Sequence, residues 1–152
     1  MSLLILSSRD VDAIISTFSP QDLQLLMAQV FALISSEDAR ERVSMPPRIV
    51  IPTLNYTAAF MPAHIVDKIS AGASPNQQSP EQGFVLGGTA VKVVCVPAKS
   101  DPRGLPATTL VLDEATGSVK AVVNARKLTA LRNAAGSSST FYEFISNSKS
   151  DS

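Results

Sequence analysis

The order of patterns along this sequence predicts an α+β domain: two N-terminal helices followed by a mostly antiparallel sheet, ending in a further helix. Three observations carry that expectation. Two amphipathic stretches with N-cap residues stand before residue 36, and runs rich in Val, Ile and Thr, punctuated by Pro, Gly and Asn, fill residues 48 to 124. The strands do not alternate with helices as βαβ units do. With 152 residues, 45% of them apolar, the chain has enough material for one domain with its own core and too little for two large ones. There is no internal repeat.

The elements follow in order. Leu3 to Leu6 reads as a short strand, after which Ser7 or Ser8 can cap a helix carrying Val11, Ile14, Ile15 and Phe18 on one side. Ser19 as N-cap, Pro20 at the first helical position and Asp22 in the first turn predict a second helix. Its apolar stripe is Leu23, Leu26, Met27, Val30, Phe31 and Ile34. Arg48 to Pro52 and Tyr56 to Met61 read as strands around a turn at Thr53-Leu54-Asn55, with the prolines placing their ends at sheet edges or boundaries. Residues 70 to 87 read as a polar loop, an insertion without periodicity. Val91 to Val96, Thr108 to Asp113 and Val119 to Asn124 follow as strands, the last two joined as a hairpin with Gly117 in the left-handed position. Arg126 opens the last helix, and the domain is expected to span residues 1–136. Residues 137–152 then form a divergent tail.

Thirteen basic and thirteen acidic residues cancel without forming a Lys/Arg cluster, so nucleic acid is not an expected partner. No apolar run approaches a membrane span, and the first residues lack the basic and long apolar regions of a secretory signal; a cytoplasmic address is the expectation. Cys95 has no second cysteine to pair with, and its apolar run predicts a packed thiol in a buried strand. His64 is the sole histidine, no set of residues has metal-ligand spacing, and neither a nucleophile elbow nor a phosphate-binding glycine loop is present.

The most informative stretch is Leu128-Thr129-Ala130-Leu131-Arg132-Asn133-Ala134-Ala135. Leu128, Leu131 and Ala135 recur at helical spacing and face a core, which leaves Arg132 near the edge of that face, where a guanidinium can reach an anion. Arg48 and Lys92 are two further cations on or beside predicted strands. An amino acid's α-carboxylate is a planar double acceptor, so an Arg can hold it bidentately while a Lys adds a point charge.

Read in order, these pieces form a resemblance. Leu4-Ile5-Leu6-Ser7 with Asp10-Val11, Pro47-Arg48, Met61-Pro62, Lys92-Val93-Val94, Pro97 and Arg103-Gly104-Leu105-Pro106 lead to Asp113-Glu114-Ala115-Thr116-Gly117 and then the Arg132 stretch. In that order and spacing the chain resembles the N-terminal part of the ornithine cyclodeaminase/mu-crystallin family, over roughly residues 3 to 136. The resemblance implies a substrate-binding and dimerisation domain. Arg48 and Lys92 would hold the carboxylate of an amino or imino acid, and Arg132 would meet substrate or dinucleotide phosphate. It also implies a threonine near the cofactor phosphates: counting from Gly104 places Ala107 there, and a short gap places Thr108 there. Asn133 departs from the threonine usual in the family directly after the arginine.

The family's chemistry moves hydride between NAD or NADP and an amino or imino acid: ornithine cyclisation with loss of ammonia, ketimine reduction or amino-acid dehydrogenation. No glycine-rich dinucleotide turn follows Arg132, and the family's catalytic aspartate has no counterpart here. The expectation is therefore a truncated member, inactive alone and without cofactor of its own. The alternative is a non-catalytic interaction module pairing through its sheet with itself, as a homodimer, or with a full-length paralogue. A third reading, an active enzyme using cofactor bound elsewhere, is sunk if the purified chain binds neither NAD nor NADP.

Overall fold

The structure is a computed structural model that describes residues 2–66, 87–99 and 105–137. Along the chain lie β1 (Leu4–Leu6), α1 (Ser8–Ile15), α2 (Pro20–Ser35), α3 (Ala39–Arg42), β2 (Val43–Ser44), β3 (Ile49–Pro52), β4 (Tyr56–Ile65), β5 (Gly88–Pro97), β6 (Ala107–Leu112) and β7 (Val119–Asn124). A last helix, α4, occupies 126–137. The expected polar loop at 70–87 (except Gly87), Arg103 and Gly104, and the tail beyond Ser137 lie outside the described residues.

The N-terminal helices begin where short-range chemistry starts them. Ser7 and Ser19 each accept the backbone N–H three residues on, and Asp10 and Asp22 return the bond to the capping residue, two complete capping boxes. These hydrogen bonds, first from the serine hydroxyl and then from its N–H, hold both aspartates below the ordinary 3.8; the Thr116 hydroxyl does the same for Asp113 at the last hairpin. A carboxyl depressed on folding contributes stability that is present above its unfolded value and lost as pH falls through the folded one. The urea midpoint should therefore decline as pH drops below 3.8. Ser19→Ala should cost about 1 kcal/mol at neutral pH and flatten that acid dependence; an unchanged acid limb would remove the Asp22 assignment.

The sheet runs β1-β7-β6-β5-β4-β2, with β3 also paired to β4. All pairs are antiparallel except β1 with β7, so the first strand returns to the edge formed by the last. The expected α+β class is what the structure has. The strands extend beyond the predicted bounds: β4 continues through Pro62 to Ile65 and β5 starts at Gly88. Pro62 lies inside a strand rather than at its end. β3 covers Thr57 to Phe60 and β2 covers Ser44 and Val43 opposite His64 and Ile65, so the ladder on that side is interrupted beside Pro62, which has no N–H to offer it. Gly117 takes φ 69° at the hairpin, as expected.

Side chains alternate between the two faces of the sheet, and the register assigns each one. Leu6, Val123, Thr109, Lys92, Val94, Ala107 and Met61 share one face. That is the face on which the helices pack. Val94, Ala107 and Ala125 form a buried cluster against which Met61 and Leu128 rest, while Leu6 and Val123 line a common apolar space with Val11, Leu26 and Leu131. The stripe of α2 is displaced from the predicted one: Leu33 is buried, whereas Phe31 and Ile34 stay exposed. Gly136 is where α4 crosses α2, since a Cβ there would lie 3.3 Å from the Phe31 ring.

The opposite face carries Ile5, Val122, Leu110, Val91, Val93, Phe60, Ile49 and Ile51. Among the described residues no helix covers it, and Ile5 and Ile49 are 67% and 62% exposed. Cys95 lies on this face and is half-buried, not packed in a buried strand as its apolar run suggested.

Candidate functional site

Helix α4 brings the predicted cations into relation. Asn124 Oδ1 accepts the Arg126 N–H, and the Ala125 N–H bonds to the Ala107 carbonyl at 2.9 Å, which seats the start of the helix directly on β6. Ala125 is only 1% exposed; a larger side chain would lift the helix off the sheet. Leu128 then points into the core beside Met61, and Thr129 and Arg132, three residues apart, share the adjoining edge of the helix.

Lys92 rises from the middle of β5 between Met61 on β4 and Thr109 on β6. Its ammonium donates to Thr129 Oγ1 at 2.7 Å. Partial burial, and then the neighbouring Arg132 guanidinium, push the Lys92 ammonium below the ordinary lysine range. Lys92 thus meets the helix at Thr129, three residues before Arg132, and among the described residues neither cation forms an ion pair with a carboxylate. Arg132 uses one donor on Asn133 Oδ1 at 3.2 Å and borders an open groove of about 320 Å³ with Met27, Phe31, Asn133, Gly136 and Ser137. Among the described residues the other four N–H donors of its fork make no hydrogen bond.

Arg48 stands exposed one residue before β3. The β3/β4 register, carried one step further, sets it opposite Met61, the cross-strand neighbour of Lys92. Two strand spacings, roughly 10 Å, then separate the backbones of Arg48 and Lys92. Thr108 is elsewhere: it pairs with Val93 and Asn124, is exposed, and points to the face opposite Lys92. The structure thus joins Lys92 to the helix that carries Arg132, through Thr129, leaves Arg48 at the margin of the same row and sets Thr108 apart. Sequence reasoning did not single out Thr129 as a site residue. Its signal was available in the three-residue spacing to Arg132, but nothing local said that a lysine 37 positions upstream would reach it.

A second polar group lies at the end of the open face. His64 Nδ1 is 2.7 Å from Thr89 Oγ1 and 3.6 Å from Glu114, whose other oxygen accepts the Thr89 N–H. Among the described residues, no three metal-ligating side chains gather anywhere and no helix is long and apolar enough to cross a membrane.

Comparison with known proteins establishes the fold in which these residues sit. No protein-family model matches the sequence, and no curated protein matches it. Solved structures do. An archaeal alanine dehydrogenase dimer with bound NAD is similar over 89% of this chain, with 22% identity and a TM-score of 0.62. The Δ1-pyrroline-2-carboxylate reductase of Thermococcus litoralis, in complex with NADH and L-proline, is similar over 89%, with 21% identity and a TM-score of 0.65. A probable ornithine cyclodeaminase from Bordetella pertussis Tohama I is similar over 88%, with 21% identity and a TM-score of 0.56. The chain spans about a third of the length of each, 35%, 36% and 34%. The fold is therefore one that this group of amino-acid and imino-acid enzymes contains, in agreement with the resemblance read from the sequence.

Proposed function

We propose that this chain is the carboxylate-binding and subunit-pairing domain of an ornithine cyclodeaminase/mu-crystallin-type protein, taking an amino or imino acid by its α-carboxylate. The observation that supports it best is the pair Lys92 and Arg132, cations held on one rim without a carboxylate between them among the described residues. A bound carboxylate relieves their repulsion and can bridge the Arg132 fork and the Lys92 ammonium. Arg48, in the same row, adds a longer-range positive charge. Arg132 can also meet a phosphate, but the residues present form no glycine-rich pyrophosphate bed, so NAD or NADP is not expected to bind this chain by itself. On this reading the chain catalyses no redox reaction alone.

L-Proline and its amide, titrated into labelled protein and followed by NMR, test the proposal. Proline should shift the Thr129 and Arg132 signals and prolinamide should not. Lys92→Glu or Arg132→Glu should weaken proline binding by at least about tenfold, the loss of a charge-assisted hydrogen bond; equal binding by wild type and variants would end the idea. The pH dependence has a fixed sign. The carboxylate favours protonated Lys92, so binding takes up protons, and affinity should fall as pH rises through the lowered value of Lys92, earlier than an ordinary lysine would cause.

The second reading, a cytoplasmic interaction module that dimerises through its sheet, draws on the uncovered apolar face. It is compatible with the first, because the anion site and the open face lie on opposite sides of the sheet.

A further inference from the structure

We infer that the groove between α2 and α4 is a side-chain pocket, fitting the carboxylate site to an acid with an aromatic ring two carbons from its carboxylate, the class of the aromatic amino and imino acids. This rests on the carboxylate reading of Arg132 above and narrows its ligand. The basis is a cavity that Arg132 itself lines. The groove has a volume of about 320 Å³; the guanidinium shares its wall with Asn133 and Ser137 of α4, and α2 contributes Met27 and Phe31. Small-molecule sites begin at roughly that size, about 300 Å³.

Three side chains give the groove its chemistry. Arg132 supplies an unused anion grip: one donor goes to Asn133 Oδ1 at 3.2 Å, and the rest of the fork makes no hydrogen bond among the described residues. Phe31 supplies an aromatic ring that is 47% exposed, so about half of a large apolar side chain is left without cover. Gly136 supplies room. A Cβ there would stand 3.3 Å from the Phe31 ring, and the missing side chain lets the ring approach the α4 backbone this closely. Arg132 and Gly136 are one helical turn apart on one edge of α4, about 6 Å along its axis. A ring joined through two carbons to a carboxylate on the Arg132 fork can therefore reach the Phe31 ring, where aromatic pairs gain beyond their area by stacking offset or edge to face. A methyl group in its place leaves that surface to water. Thr129, three residues before Arg132, is taken by Lys92, so the groove lies one turn along the helix on the other side of the anion grip. A second groove along α4 lacks this combination: it passes Ile15, Leu131 and Ala134 on the side of α1, and its lysine, Lys127, is already bound to Asp12 at 2.6 Å.

The test titrates L-phenylalanine, L-alanine and L-phenylalaninamide into the whole isotope-labelled chain and follows them by NMR. Phenylalanine is expected to bind at least about tenfold more tightly than alanine, the gain from burying part of a phenyl ring, and to shift the Met27 methyl and Gly136 amide signals, which alanine leaves in place. Phenylalaninamide keeps the ring and loses the carboxylate, and should bind about tenfold more weakly than phenylalanine. Phe31→Ala should bring phenylalanine down to the affinity of alanine and leave alanine unchanged, while Arg132→Gln should weaken both. The three wild-type titrations decide the matter even where a variant fails to fold. Equal affinity for phenylalanine and alanine overturns the pocket and spares the carboxylate reading. Phenylalaninamide binding as tightly as phenylalanine, or tight phenylalanine binding that survives Phe31→Ala, overturns it too, because the ring is then held without the grip or away from the groove. If neither amino acid binds, the pocket and the carboxylate reading fall together.

Discussion

Ala125→Phe should destabilise the domain by about 3 kcal/mol, the upper part of the range for overpacking a core, and should loosen the contact between Lys92 and Thr129 as well. Ala125 is 1% exposed, its N–H is tied to the Ala107 carbonyl on β6, and its methyl group belongs to the buried cluster with Val94 and Ala107. A ring has no space there unless α4 lifts from the sheet. Lifting it also draws Thr129 away from Lys92, because the 2.7 Å contact depends on that close seating. For a domain whose total stability is about 5–15 kcal/mol, the loss is large enough to read in a urea titration. The Lys92 amine, freed from Thr129 and less buried, should move back toward the ordinary lysine range, since burial is the leading cause of its depression. Both changes are expected in one variant. Ala125→Ser, which adds a single oxygen, should show much less of either. A Phe variant as stable as wild type would mean that the helix is not held as closely as the structure has it.

That coupling between packing and site explains what was legible in the sequence. The helix starts were readable because their cause is local: Ser7 with Asp10 and Ser19 with Asp22 complete their capping boxes within four residues. The Gly117 hairpin was readable for the same reason, as the turn and its Asp113–Thr116 hydrogen bonds are contained in one short segment. The pairing of β1 with β7 was not, because its partners are more than a hundred residues apart and Leu4–Leu6 would look the same wherever it docked. Burial along α2 was misjudged at Phe31 and Ile34, since a long apolar helix offers more than one possible stripe and α4 together with the sheet selects which is used. Cys95 was read as packed because an apolar strand does not say whether both of its faces are covered. The cations Lys92 and Arg132 were found, but their shared hydroxyl, Thr129, was missed as a contact that only the tertiary fold creates.

Replacing both Phe60 and Val93 by glutamate should abolish the proposed pairing of two copies through the open face without unfolding the chain. These residues are cross-strand neighbours at the centre of the open face, on β4 and β5 respectively. Around them lie Ile49 and Ile51 of β3 and Leu110 of β6, and Ile49 and Ile51 are largely exposed in the single chain. A sheet face this apolar gains by meeting another, and sheets packed face to face bury side chains from both in a layer about 10 Å thick. A second copy of the chain offers a self-complementary surface through a two-fold axis, and the open face lies away from Lys92 and Arg132. Two glutamates per copy near that axis would place like charges in a desolvated layer, which costs several kcal/mol and exceeds what the remaining apolar contacts return. Within one chain the same side chains are half-buried on the face away from the helices, so the helices and the Lys92–Thr129 contact on the other face should persist. Sedimentation velocity is the measurement: the wild type is expected as a dimer and the double variant as a monomer, with matching circular dichroism. A wild type that sediments as a monomer at micromolar concentration would mean that the open face is not matched to a second copy of this chain.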